Sequence, residues 1–325
     1  MTRPWRPAAA AGALRARAEL LARVRSFFAQ RGVMEVETPV LGAGANPDPH
    51  VESLPPLDVP GAGTLWLQTS PEFAMKRLLA AGSGPIYQIA RAFRANEIGR
   101  LHNPEFTLLE WYRPGFDHHA LMDEIAALIA HVLELESSEF ERLSYGEALR
   151  RFTDVDAGTA PSGELKACLH QHGVALPRDL TRAQEEDRDL WLDLLMAEVV
   201  APNLGALRPC FIYDYPASQA ALARVRPGSP PLAERFELYA RGVELANGFH
   251  ELSDASEQAR RFAHDQRRRE QRGQHPVALD QALIDALQAG LPDCAGVALG
   301  LDRLLMLKLD ARRLDEVLAF PCDRA

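Results

Sequence analysis

Two runs of apolar and aromatic residues, 85–94 and 106–113, bracket a polar loop, and this stretch constrains the fold more than any other. Runs of that composition on either side of a short polar connection form an antiparallel hairpin. Residues 93–112 read FRANEIGRLHNPEFTLLEWY, so Arg94 stands at the end of the first strand and faces Asn96, Glu97, Arg100, His102 and Asn103. A planar guanidinium there can straddle a phosphate with two parallel hydrogen bonds, which a lysine cannot do. The polar HNPEF string between apolar strands would be costly to bury without partners, and this sets Arg94 apart from an ordinary solvated arginine.

A second constraint comes from residues 296–307, GVALGLDRLLML. Alternating small and apolar residues bring a neighbouring backbone or ligand close to one strand face, and Arg303 opens the apolar helix that follows. Between the two arginine motifs lies ELANGFHEL, 244–252. Glu237 and Glu244 sit on two runs, 236–240 and 243–247, that turn at Arg241 and Gly242. Carboxylates gathered at one end of such a hairpin either offer oxygens to Mg²⁺, whose octahedron phosphate and water can complete, or form an exposed pair on an edge strand. Glu251, flanked by Leu245 and Leu252, is in a setting where a carboxylate pairs with a cation, for which a bound ammonium group qualifies. Together these residues suit a nucleoside triphosphate held over a carboxylic acid, the arrangement of an adenylate-forming site.

Elsewhere the spacing predicts helices over 14–30, 118–136, 181–200, 256–272 and 280–289, with Gly32 closing the first and Thr181 and Gln184 forming a capping box on another. Residues 33–41 read as an extended segment whose strand stops at Pro39. TLWLQTS, 64–70, reads as a strand delivering Ser70 to a helix that starts with Pro71, where a missing N–H costs nothing. Strands also fit 210–215, 236–240, 243–247 and 295–300. Antiparallel strands with bunched helices make an α+β fold, an antiparallel sheet flanked by helices. The whole chain, 1–325, reads as one domain, with 143–208 as a helical insertion that lacks the motifs.

Composition narrows the partners. With 36 Lys+Arg against 45 Asp+Glu and a net charge of −9, broad contact with a polyanion such as tRNA is disfavoured, because phosphate binding rests on clustered cations. Cys168, Cys210, Cys294 and Cys322 form no CxxC pair, so reduced cytoplasmic thiols are expected rather than a zinc site or disulfide framework. The apolar run 8–14 is too short for a signal core, and no stretch is long enough to cross a bilayer, so no membrane role is expected. Arg267, Arg268 and Arg269, beside Glu270, read as a solvated helix face.

These strings resemble the class II aminoacyl-tRNA synthetases, and within that class the lysine enzyme. RGVMEVETPVL, 31–41, is similar to the first class motif, 93–112 to the second and 296–303 to the third. TSPEFAMKRLL and ELANGFHELSD are similar to the lysine branch, so the likeness spans nearly the whole chain. The first motif begins by Arg31, which leaves no room for the anticodon-binding barrel, a module of roughly a hundred residues, that a lysyl synthetase carries before its catalytic domain. The resemblance therefore narrows to the shortened paralogue family that attaches (R)-β-lysine to a lysine of translation elongation factor P. It implies a class II catalytic domain with no anticodon-binding domain, a homodimer joined through the first motif, and a requirement for ATP and Mg²⁺.

The same resemblance implies roles for single residues. Arg94 would act on the α-phosphate and Arg303 toward the γ-phosphate, with Asn96, Glu97, Asn103, Glu244, Leu245 and Gly300 around the nucleotide and Glu237 and Glu244 on Mg²⁺. Ser70, Pro71, Glu72, Tyr112, Asn247, Glu251 and Ala298 would surround β-lysine, Glu72 taking the amine nearer the carboxylate and Glu251 and Tyr112 the distal ammonium. Two places depart from the pattern. Ala298 and Ala246 stand where lysyl synthetases have glycine, and the added methyls reshape the amino-acid pocket against an α-amino acid. Asn96 stands where the class has an acid, with Glu97 next. The competing readings are a free-standing lysyl-adenylate enzyme acting on tRNA or another amine, and a regulatory paralogue that binds amino acid without chemistry.

Overall fold

The computed structural model describes residues 5–137, 139–177 and 180–325. Along the chain run α1 (Ala11–Ala29), β1 (Met34–Glu35), β2 (Leu41–Gly42), β3 (Leu57–Val59), β4 (Gly63–Leu67), α2 (Glu72–Ala80), β5 (Ile86–Phe93), β6 (Glu105–Pro114) and α3 (His118–Leu133). Next come β7 (Glu141–Ser144), α4 (Tyr145–Thr153), α5 (Ser162–Gln171), α6 (Arg182–Glu186), α7 (Arg188–Leu195), β8 (Cys210–Pro216), β9 (Val225–Arg226), β10 (Leu232–Ala240) and β11 (Val243–His250). The last elements are α8 (Ala255–Gln271), α9 (Gln281–Gly290), β12 (Cys294–Gly300) and α10 (Leu301–Leu309). They fall into two compact units, one of residues 1–138 and 251–325, the other of 139–250.

The first unit is organised by the hairpin that the apolar runs predict: β5 and β6 are antiparallel, with Ile86 opposite Tyr112 and Phe93 opposite Glu105. β12 adds antiparallel to the other side of β6, and β1 adds parallel to the outer side of β5. Helix α1 packs on α3 and α10, while α3 meets β12 and α10 meets β6. The seam of α1 is Leu20, Val24, Phe27 and Phe28, all buried at helical spacing. Phe28 stacks on Tyr87 at 4.4 Å between ring centres and meets Trp111 edge-on. Each such buried side chain contributes about 1.5–3 kcal/mol. A small antiparallel sheet, β2-β4-β3, belongs to the same unit.

The segment 33–41 is not a continuous strand. Only its two ends pair, β1 with β5 and β2 with β4, and the Val36 N–H extends the first pairing by donating to the Tyr87 carbonyl at 2.9 Å. Pro39 has no N–H to give, and the chain changes partner strand there.

In the second unit the strand order is β11-β10-β8-β7, with β9 also on β10. Its core gathers Tyr145, Leu149, Leu169, Trp191, Leu195, Val200 and Ile212. The helix expected over 181–200 is interrupted. The Thr181–Gln184 capping box starts only the five-residue α6, because Asp187 turns extended and caps α7 by accepting the Asp189 N–H. A π-helical turn, Met196–Val200, follows α7. The β10–β11 hairpin turns at Arg241 and Gly242 as predicted, both left-handed with φ of 52° and 73°, a geometry that matches strand twist. Among the described residues no helix is long and apolar enough to cross a membrane.

Candidate active site

The register of β6 and β12 builds a buried polar pocket in the first unit. Gly296 lies opposite Tyr112 and Ala298 opposite Glu110, and paired residues of adjacent strands share a face. The Tyr112 hydroxyl donates to Glu110 Oε1 at 2.7 Å, and Ser70 Oγ donates to Oε2 at 2.6 Å. Ser70 Oγ also accepts the Glu72 N–H at 3.1 Å where α2 begins. One helical turn on, Lys76 Nζ lies 2.7 Å from Glu72 Oε1 and 2.6 Å from Glu251 Oε2. Glu110, Tyr112, Glu251 and Lys76 are each at most 2% exposed. A Cβ on Gly296 would stand 2.2 Å from Tyr112 Cε1 and 2.5 Å from Glu251 Oε1. The close approach read from the small residues of this strand is thus real at Gly296, where only glycine lets both side chains close over the backbone.

Two carboxylates of this pocket, Glu72 and Glu251, share one ammonium, and the third, Glu110, is held by the Ser70 and Tyr112 hydroxyls. Burial pushes the Glu110 carboxyl well up, and the charge of Glu72 adds to the shift. Burial likewise raises Glu251, against the pull of Lys76. Burial also opposes the charge of Lys76, yet Glu251 and Glu72 together hold that group above its ordinary range. The pocket is short of positive charge, which a cationic ligand would supply. Ser70, Pro71 and Glu72 also line a cavity of about 420 Å³ walled by Leu41, Trp66 and Phe73, a volume within the range of small-molecule sites.

The arginines meet one loop. Arg94 follows β5 with Nε 3.4 Å from the Thr69 carbonyl, Nη1 3.5 Å from Glu97 and its guanidinium 5.0 Å from the Phe106 ring centre. Asn96 is left-handed at φ 62°, a conformation asparagine tolerates. Arg303 lies in the first turn of α10, capped by Gly300, with Nη2 3.0 Å from His102 Nε2 and Nε 3.5 Å from the Leu101 carbonyl. Burial, then the charge of Arg303, lowers the His102 pKa, so a neutral imidazole accepts from the guanidinium. Asn103 bonds within the chain, donating to the Glu105 carbonyl at 2.6 Å and accepting the Cys322 N–H at 2.9 Å. These bonds leave one amide N–H and one oxygen lone pair of its side chain for a nucleotide contact.

Sequence reasoning missed Lys76 and Glu110 and misread Arg269. Lys76 follows Glu72 by four residues and so looks like a surface helix pair. The signal for Glu110 was its place two residues before Tyr112 on one strand face. Arg269 is not on a solvated face: it is fully buried, and its Nη2 lies 3.0 Å from both oxygens of Glu52. Its Nε donates to the His275 carbonyl at 3.0 Å. A guanidinium survives burial when its fork is filled, and the surrounding run of charges hid that. The Glu52 carbonyl accepts the Ala95 N–H at 2.8 Å, next to Arg94.

The second unit holds Glu237, Glu244, Leu245 and Asn247 on β10 and β11. Leu238 pairs with Ala246 but Tyr239 pairs with Glu244, so Leu245 is the extra residue of a bulge. Without the bulge Glu244 and Asn247 would point to opposite faces; with it they share a face with Glu237 and Tyr239. Arg235 donates to Glu237 Oε1 at 2.5 Å and to Asn247 Oδ1 at 3.2 Å, and the Tyr239 hydroxyl donates to Glu237 Oε2 at 2.5 Å. A carboxylate oxygen keeps a second lone pair after one such bond. The donor set of Glu237 and Glu244 therefore still fits a hard cation such as Mg²⁺ that takes its other ligands from phosphate and water.

Residues 4–324 match the family described as tRNA synthetases class II (D, K and N). The chain is also 51% identical over 330 residues to the elongation factor P–(R)-β-lysine ligase of Yersinia enterocolitica serotype O:8 / biotype 1B (strain NCTC 13174 / 8081), a match covering 100% of this chain and 99% of that protein. The paired arginines, the glycine-spaced β12 and the carboxylate pocket lie inside those matched residues, and the chain belongs to the class II tRNA synthetase family, in the group that includes that ligase.

Proposed function

We propose that the protein is an ATP-dependent, AMP-forming ligase that activates (R)-β-lysine as an acyl adenylate and transfers it to a lysine side chain of translation elongation factor P. The observation that carries this reading is the pocket in which Glu72 and Glu251 share the ammonium of Lys76 while Glu110, buried beside them, bonds to the Ser70 and Tyr112 hydroxyls. A substrate bearing two ammonium groups supplies the charge that the pocket lacks. The likeness to a ligase named for this reaction supports the acceptor.

The substrate carboxylate is ionised at neutral pH and attacks the α-phosphorus in line without a general base. A bond forms from that oxygen to phosphorus as the bond to the bridging oxygen breaks, and pyrophosphate leaves. The work of the protein is positioning and charge neutralisation: Arg94 on the α-phosphate, and Arg303, steadied by His102, toward the γ-phosphate. Asn96, Glu97, Asn103, Leu245 and Gly300 would border the nucleotide. Glu237 and Glu244 would hold Mg²⁺, which adds positive charge to the phosphates when bound. Glu72 takes the amine nearer the substrate carboxylate, while Glu251 and Tyr112 take the distal ammonium. Ser70 holds the Glu110 carboxylate and the Glu72 amide in place, and Asn247 accepts from the Arg235 guanidinium. In the second step the acceptor amine, after losing a proton, attacks the adenylate carbonyl to form an amide and release AMP.

The test is mass spectrometry of purified elongation factor P incubated with the protein, ATP, Mg²⁺ and (R)-β-lysine. One added β-lysyl group is expected, and an unmodified acceptor overturns the reading. Pyrophosphate exchange with α-lysine beside β-lysine separates it from a lysyl-adenylate enzyme that serves tRNA or another amine. The protein works as a cytoplasmic homodimer joined through 31–41, where Met34 and Val40 are 50% and 41% exposed. Light scattering that finds a monomer at every concentration would remove the dimer.

A further inference from the structure

We propose that Lys76 determines specificity: its ammonium, lodged between Glu72 and Glu251, is a spacer that sets how far apart the two amines of the substrate must be. The inference rests on the β-lysine reading and adds to it a residue with no direct role in the chemistry. Glu72 Oε1 and Glu251 Oε2 both lie within hydrogen-bonding distance of the same nitrogen, at 2.7 and 2.6 Å. That nitrogen stands between the carboxylates assigned to the two substrate amines. A diamino acid that places one ammonium on each carboxylate must therefore bracket a third cation. Like charges in a buried site repel strongly, so the two incoming ammonium groups keep to the far sides of their carboxylates.

The spacer is fixed. The Lys76 side chain is 2% exposed, and its helix neighbours Met75 and Leu79 are buried. Swinging out would leave Glu251 without its cation in a site closed by Tyr112 and Gly296. The quantity it measures is also the one that separates the lysine isomers. Both carry the same distal ammonium, but the two amines are one carbon closer in β-lysine than in α-lysine.

Pyrophosphate exchange with (R)-β-lysine, α-lysine and (R)-β-ornithine, whose amines are one methylene closer still, tests this in the wild type, Lys76→Met and Lys76→Arg. In the wild type each one-carbon change in spacing should cost about 10- to 200-fold in kcat/KM. Lys76→Met should shrink those ratios by about tenfold or more, and Lys76→Arg, which keeps the charge but reaches further, should move preference toward α-lysine. General damage to the fold lowers all three substrates by a common factor and leaves the ratios alone. Unchanged ratios in soluble variants overturn the spacer while leaving the β-lysine reading intact. Absence of exchange with every diamino acid in the wild type overturns both. Should neither variant fold, inhibition of the wild type by diaminopropane, putrescine and cadaverine decides the matter. The diamine with the amine spacing of β-lysine, putrescine, should inhibit best, and a flat series overturns the spacer.

Discussion

Gly296→Ala would place a methyl carbon 2.2 Å from Tyr112 Cε1, 2.4 Å from Cδ1 and 2.5 Å from Glu251 Oε1. Non-bonded carbons rest at about 3.5–4.0 Å, so a neighbour must retreat by more than about 1 Å. Neither is free to do so. Tyr112 is tied through its hydroxyl to Glu110 at 2.7 Å, and Glu251 is tied to Lys76 at 2.6 Å. Any retreat therefore breaks a buried polar contact. Overpacking of this kind costs about 1–3 kcal/mol of stability, and moving a substrate-positioning group by about 1 Å costs on the order of 100-fold in rate. The expected result is a loss of that order in kcat/KM for (R)-β-lysine in pyrophosphate exchange, an almost unchanged KM for ATP, and a lower urea midpoint. Near-normal kcat/KM for the amino acid would refute the argument from close approach. A loss that appears in the KM for ATP instead would show that the pocket serves the nucleotide.

Arg94→Ala or Arg303→Ala should abolish adenylate formation with an unchanged circular dichroism spectrum, since a lost donor to a charged transition state costs about 3 kcal/mol or more; ordinary exchange rates in either variant would remove the assignment. Ala298→Gly should improve the use of α-lysine by about 10- to 200-fold, because Ala298 shares a strand face with Glu110, whereas Glu251→Gln should weaken both isomers together. An isomer ratio fixed in the first variant and altered in the second would mean that the substrate lies the other way round. The pH dependence of stability should run opposite to that of an ion-paired carboxylate. Glu110 and Glu251 have raised pKa values in the folded protein, so the folded state binds more protons than the unfolded state, and stability falls as pH rises through the raised values. Urea midpoints without substrate should drop between about pH 5 and 8, less steeply in Glu110→Gln; a midpoint that rises, or an unaltered slope in the variant, would contradict the shift.

The hairpin of β5 and β6 was legible because its evidence is local: two apolar runs and a polar connection fix a strand pair without knowledge of the rest. The Arg241–Gly242 turn was legible for the same reason, since turn chemistry acts within a few residues. Arg94, Arg303 and Glu251 stood out from their local motifs, and Glu72 only through the family resemblance. Arg269 was not, because the Glu52 that fills its fork lies 217 residues away in sequence, and helical period says which residues share a face but not what that face meets. Lys76 was missed for the same cause, Glu251 being as invisible from α2 as Glu52 is from α8. The break at Asp187 escaped because the apolar period runs on through 181–200 while a single side chain caps a new start there. The bulge at Leu245 has no local signature, yet without it Glu244 would leave the face of Glu237.

Strand β6 shows how one segment satisfies both packing and chemistry. Its alternate residues Leu109 and Trp111 are fully buried, and Trp111 meets Phe28 of α1. Glu110 and Tyr112 point to the other face, where they bond to each other, and Glu110 also bonds Ser70. A one-residue slip in register would exchange the faces. Glu110 would then enter the apolar contact with Phe28 without a partner, at about 1–3 kcal/mol for a buried polar group left unsatisfied, and Trp111 would fill the pocket. The register that completes the apolar seam thus also forms the carboxylate site. Stability alone does not account for the pocket, because replacing a buried ionic cluster with packed apolar groups is often neutral or stabilising. What the carboxylates supply is a demand for positive charge at a fixed place beside β6, which Lys76 and bound protons meet in part in the free protein.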